Sequence, residues 1–85
     1  MTVMDLVSSE MEGRVIMSNR DETRHSVEIR LEKFRSGWRV SWLSKGRESK
    51  QARLAWDQAV TIFKNAIDGK FRAGYYLASV ERFTH

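Results

Sequence analysis

The 85-residue sequence contains no cysteine and no proline. The first absence removes disulfide scaffolds, cysteine-ligated zinc, iron–sulfur clusters and thiol nucleophiles together, and it suits a reducing compartment. Nor is there a run of the roughly 18 apolar residues that a membrane-spanning helix needs. The opening Met1-Thr-Val-Met-Asp-Leu-Val has no basic segment ahead of an apolar one. On these grounds a cytoplasmic protein with no membrane partner is expected.

Histidine is scarce as well. His25 and His85 form no His-x3-His pair, and there is no Asp-x-Asp spacing, so neither a metal nor a cofactor is predicted. Gly37, Gly46, Gly69 and Gly74 stand apart from one another. Each therefore reads as a turn or a helix end rather than part of a phosphate-cradling loop, which argues against nucleotide hydrolysis. Glu28 and Glu32 would share a strand face about 13 Å apart at ~3.3 Å per residue, too far for a retaining carboxylate pair. They flank Arg30, as expected of a solvated, salt-bridged face. The sequence assembles no nucleophile–base–orienter set around His25, so a non-catalytic protein is expected.

What is present is enough for one small folded domain: 41% apolar residues and nine aromatics. Charge is uneven along the chain. Fifteen Lys and Arg face eleven Asp and Glu. Residues 1–12 hold Asp5, Glu10 and Glu12 without a base, whereas residues 33–53 hold seven cations against Glu48 alone, a net of +6. A basic middle of this kind, with a pI near 9.9, is suited to phosphates.

Hydrophobic periodicity divides the chain further. Residues 1–12 read as an acidic arm or a short helix, and residues 13–85 as a single α+β domain. Arg14-Val-Ile-Met is a short strand followed by a turn at Asn19-Arg-Asp-Glu-Thr. Val27, Ile29 and Leu31 alternate with Glu28, Arg30 and Glu32, the pattern of a half-buried antiparallel strand. After Ser36-Gly37, Trp38, Val40 and Trp42 alternate with Arg39 and Ser41. Lys50–Trp56 is predicted as a fourth strand with Ala52, Leu54 and Trp56 on one face. From Asp57 the period becomes 3.6, with Ala59, Val60, Phe63, Ala66 and Ile67 on one stripe and either Gly69 or Gly74 as the stop. The fold expected is α+β: a four-stranded antiparallel meander packed on one C-terminal helix. There is room for a short N-terminal helix, and the tail from Tyr75 is an added strand or an extension packed on the sheet.

Three tryptophans interleaved with cations suggest a strand-based nucleic-acid binder, although the same period-two positions assign Trp38, Trp42 and Trp56 largely to the core. The predicted contact set is Arg30, Arg35, Arg39, Lys45, Arg47, Lys50 and Arg53, gripping phosphates through a basic sheet face. The expected partner is nucleic acid, DNA ahead of RNA. The alternative is a protein-interaction module, such as a phage- or plasmid-type regulator or inhibitor docking on a host nucleic-acid enzyme. Either leaves room for a homodimer.

The chain resembles a WGR domain, the small strand-rich module of DNA-dependent poly(ADP-ribose) polymerases and of short bacterial proteins. Arg14-Val-Ile-Met through Ser26-Val-Glu-Ile-Arg-Leu resembles the opening strand–turn–strand of that family. Ser41-Trp-Leu-Ser-Lys-Gly46-Arg47 stands where the Trp-Gly-Arg strand would be. Ala59, Phe63, Lys70, Gly74 and Tyr75 match the spacing of the family's helix end. Lys45 occupies the place of the motif tryptophan, so of the residues the family turns toward DNA ends, the resemblance carries over Arg47 alone. The order of four strands and a helix is also similar to the PUR-type single-stranded nucleic-acid-binding repeat.

Overall fold

Alternation of apolar and charged side chains along residues 27–34 places one face of a strand inside and the other outside, and the rest of the molecule is arranged about it. In the computed structural model, which describes residues 1–21 and 23–83, the chain order is α1 (Val3–Ser8), β1 (Gly13–Asn19), β2 (Val27–Phe34), β3 (Gly37–Ser44), β4 (Arg47–Leu54), α2 (Trp56–Arg72) and β5 (Tyr75–Arg82). Glu22 of the first turn, Thr84 and His85 lie outside the described residues. The five strands form one antiparallel sheet in the spatial order β4-β3-β2-β1-β5. α2 packs on one face of it.

Val27, Ile29 and Leu31 of β2 join Val15 and Met17 of β1 and Trp38 and Val40 of β3 in the core, under Ala59, Phe63 and Ile67 of α2. The expected helical stripe is thus the buried one, with Val60 and Ala66 packed at its margins. α1 belongs to the same core through Leu6 and Val7. Its N-terminus is closed by a reciprocal cap: the Asp5 amide donates to Thr2 Oγ1 at 3.2 Å, and the Thr2 amide donates to Asp5 Oδ2 at 2.8 Å. Leu6 reaches the sheet because residue 13 lacks a side chain. A Cβ there would stand 2.8 Å from Leu6 Cδ2 and 2.4 Å from the Glu81 carbonyl oxygen.

The sheet has five strands rather than four. β5 takes the open edge of β1, with Val80 opposite Val15, and α2 carries the chain across from the β4 edge to reach it. β4 also differs from expectation, since it starts at Arg47 and ends at Leu54. Lys45 and Gly46, both at positive φ (54° and 73°), close the β3–β4 hairpin in two residues, so pairing begins at once with Ser44 opposite Arg47. At the other end a bulge holds Arg53 at φ 58° and breaks the alternation that would have aligned Ala52 with Leu54. Trp56 is the first residue of α2, not the last of a strand. Gln58 accepts a hydrogen bond from the Ala55 amide at 3.0 Å and so closes the first turn. α2 continues through Gly69 and stops before Gly74, at φ 91°.

Candidate nucleic-acid interface

The sheet face away from α2 carries Arg30 and Arg39, but carboxylates hold both. Arg14 bridges Glu28 at 2.5 Å and Glu81 at 2.7 Å, Arg30 pairs with the same Glu28, and Arg39 reaches Glu32 at 3.3 Å. The Arg14 guanidinium is held further toward its charged form, first by its hydrogen bond to Glu81 and then by Glu28. Arg39 also lies over the Phe34 ring, 4.3 Å from its centroid. Cross-strand register puts Glu48 and Lys50 on this face, opposite Leu43 and Ser41. Arg14, Arg30, Arg39 and Lys50 therefore share the face with Glu28, Glu32, Glu48 and Glu81, four charges of each sign. Arg14 faces Glu81 and Arg39 faces Glu32 across the strands, and Glu28 lies between Arg14 and Arg30, which stabilises the sheet but leaves little field for an anion.

The remaining cations separate along the length of β3. Arg35, in the β2–β3 turn, and Arg53, in the β4 bulge, lie at one end. Lys45, in the β3–β4 turn, and Arg47 lie at the other, about 26 Å away for eight residues at ~3.3 Å. At that second end a cleft of about 490 Å³ opens on the helix side of the sheet. Trp42 and Ser44 of β3, Lys45 of the turn, Arg47 and Ser49 of β4 and Lys70 of α2 line it, above Val27. No carboxylate contributes to its wall. Among the described residues Lys45, Arg47 and Lys70 make no ion pair. Lys70 Nζ stands 5.2 Å from the centre of the Tyr75 ring.

Of the seven expected contact residues, then, the structure brings Lys45 and Arg47 together, leaves Lys50 and Arg53 exposed along β4, puts Arg35 at the far turn and ties Arg30 and Arg39 into ion pairs. Lys70 is the addition. Its place three residues after Ile67 and seven after Phe63 continues the buried stripe of α2 and brings it over the sheet. The tryptophans divide as well. Trp38 is 6% exposed and its ring lies 4.5 Å from that of Trp56, whereas Trp42 is half-buried and looks onto the cleft.

Among the described residues no three His, Cys, Asp or Glu side chains are grouped to hold a metal ion, and no helix is long and apolar enough to cross a membrane. No protein-family model matches the chain, and searches of curated proteins and of solved structures return no similar protein.

Proposed function

We propose that this protein is a non-catalytic nucleic-acid-binding module that grips phosphates at the hairpin end of its sheet rather than across the flat outer face. One observation carries the reading: Lys45, Arg47 and Lys70, without ion pairs among the described residues, converge on a cleft with no carboxylate among its lining residues. Clustered cations free of counter-charges attract a polyanion and release its condensed ions, which is the source of most non-specific affinity for nucleic acids. The WGR-like reading is consistent with this, because Arg47, the one residue it carries over to DNA contact, lines the cleft. DNA is the favoured polymer.

Docking on a host protein is the second reading, favoured by β4. Its outer edge has no partner strand in the sheet, and seven of its eight residues are exposed. Such an edge is a template for an added strand, although Arg47, Lys50, Arg53 and the bulge discourage casual pairing. A salt titration separates the two. Phosphate binding weakens linearly in log salt, and pairing along a strand edge does not.

A further inference from the structure

The cleft contains an aromatic ring as well as cations, and this combination specifies more than affinity for phosphate. We infer that it takes one nucleotide of a single strand, with the phosphate against Lys45, Arg47 and Lys70 and the base stacked on Trp42; this rests on the nucleic-acid reading above and adds strandedness to it. Trp38 and Trp56 are occupied with each other and with the core, so Trp42 is the one tryptophan that faces the cations. It is also firmly held. Its strand is paired on both sides, with Trp42 opposite Ile29 on β2 and Ser49 on β4, and the ring packs at the margin of the core. A ring fixed in this way stacks without losing much freedom.

Stacking needs a free base face. In a duplex both faces of every base are covered by neighbours, whereas a single strand can splay a base onto an aromatic side chain. About 490 Å³ lies within the ~300–1,000 Å³ range of clefts that hold small ligands, so the space suits one nucleotide with its sugar. Ser44 and Ser49 add hydroxyls that can donate to or accept from a base edge or sugar. Phosphate contacts serve either form of nucleic acid, and Trp42 serves only the single strand.

The test compares oligothymidylate of about 12 nucleotides, within the ~4–16 spanned by strand-based binders, with a duplex of equal length at about 50 mM salt. Oligouridylate and thymidine monophosphate are run beside them. The expected result is tighter binding of the single strands than of the duplex or the mononucleotide, with the thymidylate and uridylate arms assigning the sugar. Trp42→Leu should lower single-strand affinity about 5- to 150-fold and leave duplex affinity within about twofold. Trp42→Tyr should keep most of the affinity while losing the fall in tryptophan emission that accompanies binding. If Trp42→Leu does not fold, the emission of Trp42→Tyr decides, because quenching as large as wild type overturns the inference. Equal affinity for single strand and duplex, or a mononucleotide bound as tightly as the oligomer, also overturns it and leaves the phosphate reading standing. No binding of any of these probes overturns both.

Discussion

The ring of Trp38, near the start of β3, lies 4.5 Å from the ring of Trp56, the first residue of α2, with the two planes inclined at 55°. This contact fastens the beginning of the helix to the sheet just past the β4 bulge, where strand pairing ends with Leu54 opposite Trp38. Tilted aromatic pairs contribute about 0.5–1.5 kcal/mol beyond the area they bury. A double-mutant cycle with Trp38→Leu and Trp56→Leu, followed by urea unfolding, should give a coupling energy in that range. Strict additivity of the two losses would show that the rings act separately.

Phe63 has no exposed surface and stands at the centre of the α2 stripe, over the sheet. Phe63→Ala should cost ~3–5 kcal/mol, a large part of the ~5–15 kcal/mol that holds a domain together. Chemical denaturation of the variant measures this. A loss under about 1 kcal/mol would be incompatible with the packing described.

Features of this kind were readable from the sequence because a regular period reports which side chains face inward. β2 and α2 show theirs without interruption, and the buried residues Val27, Ile29, Leu31, Ala59, Phe63 and Ile67 follow directly. β5 hides its period. Opposite Ile16 and Met17 its register slips, so that Ser79 and Leu77 are the paired residues, with Ala78 left over and Leu77 and Val80 out of step. The candidate site was legible in part. Lys45 and Arg47 are neighbours in sequence, but Lys70 reaches them only through the packing of α2. The neutralisation of Arg39 by Glu32 depends on cross-strand register, which no local pattern supplies.

Ser41 points to the outer face of β3 and is 1% exposed, and its hydroxyl has no hydrogen-bond partner among the described residues. A buried polar group in that state costs about 1–3 kcal/mol. Ser41→Ala should therefore leave stability unchanged or raise it by about 1 kcal/mol, read as a shift in the denaturation midpoint at constant slope. Destabilisation by more than about 1 kcal/mol would mean that the hydroxyl makes a bond in solution.

The Asp5 carboxyl is held below the usual carboxylate range, first by the Thr2 amide and then by the Thr2 hydroxyl. Asp21 is lowered in the same way by Thr23, through its hydroxyl and then its amide. A carboxyl depressed in the folded state contributes stability that is complete above its unfolded value and is lost as the pH falls through the lower, folded one. Acid should thus loosen α1 at its cap. Carbon-detected NMR titration should place the Asp5 midpoint below that of an ordinary aspartate, and Thr2→Ala should return it toward the ordinary value. Because the Thr2 amide is kept in this variant, an Asp5 midpoint unmoved by Thr2→Ala would mean that the Thr2 hydroxyl takes no part in lowering it.

The final prediction sets the two groups of cations against each other. The slope of log K against log salt counts the phosphates a protein neutralises, about 0.7 for each contact with a single strand and about 0.9 with a duplex. Among the described residues Lys45, Arg47 and Lys70 have no carboxylate to satisfy them, so replacing all three with Gln should make the slope shallower by about 0.7 for a single strand, the share of the one phosphate they hold together. Arg30 and Arg39 are already compensated by Glu28 and Glu32. Replacing these two with Gln should leave the slope nearly unchanged, at a cost in folding of no more than about 0–1 kcal/mol for each partly exposed pair. Affinity in the second variant should fall slightly, because Glu28 and Glu32 then carry charge that repels the strand from a distance. The opposite pattern, with the slope reduced by loss of Arg30 and Arg39 and indifferent to loss of the cleft lysines and Arg47, would move the phosphate contacts to the outer face. It would also mean that a nucleic acid can displace Glu28 from Arg30 on the same strand and Glu32 from Arg39 on the next, which requires the competing phosphate to be held more strongly than either carboxylate.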